Sequence, residues 1–397
     1  MHRLFILLAC GWWSLLAHAG LFGPDFEITK TVPPKNGEDS VLYLTANAFT
    51  ADEKFFVFGR RFEPRSTGTG TGSRHHLMRR DMATGEEVEI AFKDKIGFLN
   101  AVVSGNTLFY ATIAKQAVLY AVDVPSGKEE AIWNFPVNPR YPTWKIFPLS
   151  ASNDGNRVLI SMSDNVPVDR SGKLNEWQPE FLGSDAHSYV YLGMRENGAW
   201  TFTKVYELEN IRNGFVSHAQ LNPVTGADAL IELDGIRRNN RGFILDFKTL
   251  ATKNVRPETG TNAYMSHANY IGDQIVQYMM YKGGATDIGL ADVKQGTFKE
   301  WEAGNHQHFA GFLASDRTFY AVGDGRSGQW SSVIRYAIRN GKLVDSTTIS
   351  SRGPNTAWEE YHAHPRLSPS GKWLVYTSSE RMEQGQVVIV KDPLKEK

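Results

Sequence analysis

The sequence predicts an all-β fold: a seven-bladed β-propeller with four-stranded antiparallel blades around a central channel. Three observations carry this. Short alternating strands recur along the chain, separated by Asp-Gly, Ser-Gly, Asn-Gly or Thr-Gly turns, while helical periodicity is nearly absent. The strands group into a rough internal repeat of about 40 to 55 residues with four strands per unit, which is the period of propeller blades. Seven such units fit in 397 residues, and no Pro/Ser-rich linker divides them. One closed ring over residues 20–397 is therefore expected; the alternative is a pair of unrelated β-sandwiches.

The N-terminus reads as a secretory signal over residues 1–19. Arg3 supplies the positive charge, residues 4–16 are almost wholly apolar, and Ala17-His18-Ala19 is a small-x-small cleavage site. The apolar run is too short to span a bilayer. A lipoprotein reading through Leu7-Leu8-Ala9-Cys10 has a very short apolar stretch before the cysteine. Cleavage after Ala19 removes Cys10, the sole cysteine, so a mature chain without thiols is expected in the periplasm or outside the cell. Lys plus Arg number 43 and Asp plus Glu 43, which argues against a nucleic-acid or membrane-surface binder. The oligomeric state is left open.

The first repeat runs from Ala46 through Phe55-Phe56-Val57-Phe58 to Leu77-Met78-Arg79-Arg80-Asp81 and Thr84-Gly85-Glu86. Its Thr67-Gly68-Thr69-Gly70-Thr71-Gly72 run precedes no helix pattern, so it is a loop and not a phosphate cradle. The second holds Leu108-Phe109-Tyr110 and Leu119-Tyr120-Ala121-Val122-Asp123. The third starts near Trp144 and carries a polar insertion over residues 165–185. Later repeats start at His218, His267, near His308 and at His364. The early strand Val41-Leu42-Tyr43-Leu44 has no blade of its own and is expected to complete the last one, closing the ring.

The first strand of every blade lines the channel, so equivalent positions on these strands converge. Ser217-His218-Ala219, Ser266-His267-Ala268, Gln307-His308-Phe309 and Ala363-His364-Pro365 place histidine at nearly the same spot in four successive blades. Near the last, Glu359 and His362 precede His364; histidines two apart on an extended chain point to one side. Neutral imidazoles with a carboxylate suit a divalent metal. His308 fits the blade register better than His306, His75 and His76 are expected to be solvated, and His187 is ambiguous.

These residues resemble the oligogalacturonate lyases, the seven-bladed propellers among pectin-degrading lyases. The likeness covers Phe49-Thr50-Ala51-Asp52, Asp81-Met82-Ala83-Thr84-Gly85-Glu86, Ser266-His267, Val322-Gly323-Asp324-Gly325 and His362-Ala363-His364-Pro365 with Val375-Tyr376-Thr377-Ser378. It implies a manganese ion held at His267, His362 and His364, with Glu359 standing where the family has glutamine, and a catalytic base at His218. The implied reaction is β-elimination from a uronate-containing oligosaccharide. A metal neutralises the C6 carboxylate and an imidazole removes the C5 proton. Substrate contacts are expected from His308, Arg366, Arg326, Trp358 and Tyr361. Arg195 and Arg212 are candidates for the family's catalytic arginine. Two other readings stand beside this one: a non-catalytic TolB-like propeller binding a glycan or protein, and a hydrolase or isomerase using the same metal.

Overall fold

The computed structural model describes residues 26–394, apart from 36, 44, 63–74, 94–95, 113–115, 139–143, 165–186, 210–214, 235–240, 258–262, 283–284, 305, 328–329, 354–362 and 379–384. The secretory-signal residues, the Thr/Gly run and the whole of the polar insertion lie outside them. Seven antiparallel sheets follow one another along the chain. Blade 1 is β2 (Glu38–Ser40), β3 (Phe55–Arg61), β4 (His76–Asp81) and β5 (Glu87–Phe92). Blade 2 is β6 (Ile96–Ser104), β7 (Thr107–Thr112), β8 (Val118–Asp123) and β9 (Glu129–Asn134). Blade 3 opens with two short strands, β10 (Lys145–Ile146) and β11 (Ser150–Ala151), followed by β12 (Arg157–Ser163), β13 (His187–Glu196) and β14 (Ala199–Glu209). Blade 4 is β15 (Phe215–Leu221), β16 (Asp228–Asp234), β17 (Gly242–Asp246) and β18 (Thr252–Asn254). Blade 5 is β19 (Ala263–Tyr270), β20 (Ile275–Lys282), β21 (Ala285–Asp292) and β22 (Thr297–Glu302). Blade 6 is β23 (His306–Leu313), β24 (Phe319–Ser327), β25 (Trp330–Arg339) and β26 (Lys342–Gly353). Blade 7 combines β27 (Arg366–Leu367), β28 (Trp373–Ser378) and β29 (Gln386–Lys391) with β1 (Glu27–Lys30) from the other end of the chain.

Turn chemistry explains why the third strand of a blade ends where it does. Asp81, Asp123, Asp246 and Asp292 close β4, β8, β17 and β21. Each carboxylate accepts a backbone N–H from the residue three positions on, at 2.7 to 2.9 Å. The residue four positions on returns its N–H to the aspartate carbonyl and takes positive φ: Gly85, Gly127, Leu250 and Gly296. An aspartate that mimics a backbone turn, followed by a left-handed residue, stops the strand and sends the chain back as the fourth.

Ring closure differs from the expectation. The strand that completes blade 7 is β1, paired with β29 from Glu27↔Lys391 to Lys30↔Val388. Residues 41–43 lie elsewhere, 2 to 4% exposed. An outermost strand keeps one side in solvent, which suits the half-buried Glu27-Ile28-Thr29-Lys30 and would waste the apolar 41–43 stretch. That stretch enters the centre of the ring between β2 and the bridge Phe49↔Phe56. The closure is extended by Thr31 N–H to Val387 O, Asp39 N–H to Gly385 O and Val41 N–H to Thr377 Oγ1, at 2.8 to 3.0 Å.

Neighbouring blades meet through large apolar side chains with almost no exposure, among them Phe56, Phe109, Tyr278, Phe309 and Tyr376. Trp144 belongs to this packing: it lies edge-on to Tyr189 and donates its indole N–H to Pro136 O at 2.6 Å. Where the closing segment meets blade 1, Arg60 grips the fully buried Asp39 with two hydrogen bonds of 2.7 and 2.8 Å and Glu87 with a third of 2.7 Å. Among the described residues no helix is long and apolar enough to cross a membrane. Replacing Arg60 with Met leaves the Asp39 carboxylate buried without its cation. Urea unfolding of Arg60→Met should show a loss of about 3–5 kcal/mol.

Candidate active site

The inner strands carry a shared irregularity. In β15 the register shifts between Val216 and His218, in β19 between Ser266 and Asn269, and in β23 between His306 and His308. In each case the inner strand has one more residue than its partner. Blade 7 repeats this: Thr377 N–H bonds Ala363 O, and pairing resumes at Arg366↔Val375, so three steps face two. A one-residue bulge turns a side chain out of the sheet's alternation. Here it turns four histidines towards the axis, and His267 and His364 take positive φ of 50° and 41° to do so.

The result is a closed ring of five aromatic side chains. Tyr43 stacks on His218 at 5.4 Å between ring centres. His218 meets His267 at 6.2 Å, His267 meets His308 at 4.8 Å, and His308 meets His364 at 4.5 Å. His364 returns to Tyr43, edge-on, at 5.1 Å. The expected convergence of His218, His267, His308 and His364 is therefore present. Tyr43 was not foreseen as a member. It reaches the axis because the inner strand of blade 1 breaks between Ser40 and Phe49.

Each imidazole is held differently. His218 Nε2 lies 2.9 Å from the Tyr43 hydroxyl and its Nδ1 2.9 Å from Ser217 Oγ. His308 Nδ1 lies 2.8 Å from Asp324, whose other oxygen accepts the His308 backbone N–H at 2.6 Å. His267 Nδ1 lies 3.4 Å from the Tyr281 hydroxyl. Behind it the fully buried Glu232 accepts Ser266 Oγ–H at 2.8 Å and the backbone N–H groups of His267 and Ala268 at 3.0 and 3.1 Å. The carboxylate thus takes the backbone donors that the bulge removes from the ladder.

Burial works to raise the Asp324 carboxyl, but the charge and hydrogen bond of His308, the nearby His364 and the His308 N–H outweigh it. The group is held below its ordinary value. Gly323 and Gly325 flank it for a packing reason: a Cβ on Gly323 would stand 2.3 Å from the Phe309 ring and 2.9 Å from His306 Nδ1. Burial first, and then the charge of Tyr264, Asp324 and Glu232, pushes the Tyr281 hydroxyl well up.

Arg366 lies on β27, paired with Val375. It is half-buried by surface yet surrounded by protein, and burial pushes its guanidinium down to about 10. Glu359, His362, Trp358 and Tyr361 lie outside the described residues, as does Arg212. Arg326 is on β24 opposite Ser331, and its side chain is outside the description too. Arg195 sits exposed at the hairpin joining β13 and β14, paired with Trp200 on the outer strand, far from the inner face. It is not at the axis.

The other described histidines are held in the packing away from this ring. His306 Nε2 meets the Tyr336 hydroxyl at 2.7 Å, and burial lowers its proton affinity. His75, expected to be solvated, is 2% exposed, with Nδ1 3.3 Å from Ile96 O. The correction has a simple cause: it is the last residue before β4 and packs beneath Gly59. His76 is half-buried, stacked on Phe92 at 4.0 Å and paired with Glu89 at 2.7 Å. His187 opens β13, 3.6 Å from Glu207. Among the described residues no three His, Cys, Asp or Glu donors already converge as a metal set. Besides Tyr43, reading from sequence missed Asp324 and Glu232. Only the Gly323-Asp324-Gly325 pattern pointed to one of them, and it gave no role.

Fold and site together define a seven-bladed propeller with an imidazole-lined axial site. The chain is similar to an oligogalacturonate lyase in complex with manganese, with TM-score 0.71, 14% identity, and coverage of 94% of this chain and 98% of that one. It is similar to an oligogalacturonate lyase from Vibrio parahaemolyticus at TM-score 0.70 and 14% identity, covering 93% and 97%. The WD40 repeats of RRP9 give TM-score 0.55 and 10% identity, covering 92% and 99%. No protein-family model matches the sequence, and no curated protein matches it. At these identities the likeness establishes the fold.

The bulge carboxylate is open to a direct test. Glu232→Gln keeps the shape but sets an amide NH₂ against an N–H or O–H donor. Urea unfolding should show a loss of about 1.5–3 kcal/mol.

Proposed function

We propose that this protein is a metal-dependent polysaccharide lyase that cleaves oligogalacturonate or a related uronate oligomer by β-elimination. The observation that carries the reading is the closed ring of Tyr43, His218, His267, His308 and His364 at the axis. The architecture shared with two oligogalacturonate lyases supports it. The chemistry of the side chains, rather than a converged donor set, suits a divalent ion: imidazoles gathered at the axis, with Asp324 on His308 Nδ1 in the manner of carboxylates behind ligating histidines. Manganese is the ion bound by the similar lyase. His267 and His364, with Glu359 and His362, would hold it, and when bound it neutralises the uronate carboxylate and eases charge development at C5.

The chain's own residues supply the proton chemistry. His218 removes the C5 proton. The C5–H electron pair becomes the C4–C5 double bond, the C4–O4 bond breaks, and O4 takes a proton from water as it departs, while His218 returns its own to solvent. Ser217 Oγ at Nδ1 fixes the orientation of the base and supports its cationic form. The Tyr43 hydroxyl, on Nε2, marks the side from which a proton reaches the base. Arg366, on β27, would pair with a substrate carboxylate. Arg326 would provide a second cation, and Trp358 and Tyr361 would stack on sugar rings. A periplasmic or secreted site of action follows from the leader-like residues 1–19.

The test is an assay on a panel of uronate oligomers with Mn²⁺ or with chelator. The unsaturated product should give ultraviolet absorbance that chelation abolishes. His218→Ala should lower kcat/KM by about 10²–10⁴-fold. New reducing ends without that absorbance would make the protein a hydrolase. Bound but unchanged sugar would make it a binding propeller, and either result overturns the lyase.

A further inference from the structure

We propose that Tyr43 is a gate over His218: its hydroxyl holds the base in a closed state, and a sugar hydroxyl takes its place when the axis is loaded. This deepens the proposed reading, because it rests on His218 as the base; that the axis is shut needs no lyase chemistry.

The side chains of the ring enclose one another. Tyr43 is 4% exposed and His218 8%, with His308 at 1% and His364 at 0%. The Tyr43 ring lies 22° from the plane of His218 at 5.4 Å and edge-on to His364 at 5.1 Å. It bridges the two ends of the histidine series and covers the base. A sugar meets the His218 imidazole only after a member of the ring gives way.

The partners of the base show which end opens. An imidazole that takes a proton from carbon needs a nitrogen turned to the substrate. Ser217 Oγ, 2.9 Å from Nδ1, belongs to the adjacent residue and travels with the ring. The Tyr43 hydroxyl, 2.9 Å from Nε2, comes from 175 residues away and can leave without it.

Backbone support shows which member moves. His218, His267 and His308 stand on β15, β19 and β23, and Ala363 beside His364 accepts the Thr377 N–H. Residues 41–43 belong to no strand. The Tyr43 carbonyl accepts the Ala46 N–H within its own turn, while Val41 N–H on Thr377 Oγ1 and Val103 N–H on Asn47 O anchor the segment on either side. Swinging the phenol ring aside breaks no sheet ladder, whereas moving a strand-borne histidine does. The swing gives up the hydroxyl contact at Nε2, and a hydroxyl of the incoming sugar replaces it in kind.

The experiment is acylation of the full chain by diethylpyrocarbonate, with the rate at each histidine read by peptide mass spectrometry. His218 should react slowly in wild type. Tyr43→Phe, which keeps the ring and drops the hydroxyl, should react at His218 about 2–10-fold faster. Tyr43→Leu should be faster still. The rate at His76, on blade 1 and away from the axis, should not change, and thermal unfolding separates an opened axis from a loosened fold. If Tyr43→Leu fails to fold, Tyr43→Phe decides. Saturation with a uronate oligomer should raise the His218 rate in Tyr43→Phe less than in wild type, relative to each ligand-free protein, because the gate is already released. If His218 reacts at the wild-type rate in Tyr43→Phe, the gate is overturned while the lyase reading stands on its own assay. If the variants react faster and wild type turns over no uronate, the closed axis stands and the lyase does not.

Discussion

One extra residue in an inner strand is the constraint on which this site depends. A regular ladder would send alternate side chains into the inter-blade packing and keep imidazoles off the axis. The bulge breaks that alternation at His218, His267, His308 and His364. Backbone donors freed in this way cannot be left bare in a dry interior. Glu232 takes two of them in blade 5 and Asp324 takes one in blade 6. These acids therefore belong to the backbone as much as to the site. The groups that let the strand deviate are the groups that lie behind the imidazoles.

The same constraint sorts the ring into unequal parts. Blades 4 to 7 contribute histidines and blade 1 contributes Tyr43, while the inner strand of blade 3 turns Phe147 onto Phe215 at 5.4 Å. The inner strands thus differ in what they contribute: histidines in four blades, a tyrosine in one and a buried phenylalanine pair beside blade 3. Among the histidines, His218 is engaged at both nitrogens by hydroxyl groups, and His308 is engaged at one by a carboxylate.

Much of the architecture is legible in the residues, because propeller blades announce themselves through local chemistry. The aspartate turns after Arg80, Val122, Leu245 and Ala291 are short-range signals, and the structure uses them as the sequence implies. The four histidines are legible for a different reason: the repeat supplies a register, and they share a position in it. Tyr43 is hidden because Val41-Leu42-Tyr43-Leu44 reads as an ordinary apolar strand with no blade of its own. The strand that does close the ring, Glu27–Lys30, is short and half polar and gives little periodic signal. Asp324 and Glu232 are hidden because their roles depend on cross-strand pairing, which no single strand encodes. A carboxylate opposite a bulge looks like any other until the bulge is located.

The closure of blade 7 by β1 carries a consequence for how the molecule comes into being. His364 and Tyr43 are neighbours in the ring, yet more than three hundred residues separate them along the chain. A polypeptide emerging from its N-terminus holds Glu27–Lys30 without a partner until Gln386–Lys391 has been made. The seam between β1 and β29 is therefore the last strand pairing that a growing chain can make. A chain stopped short at either end should be inert as a whole, with no partially competent stage before the two termini lock together.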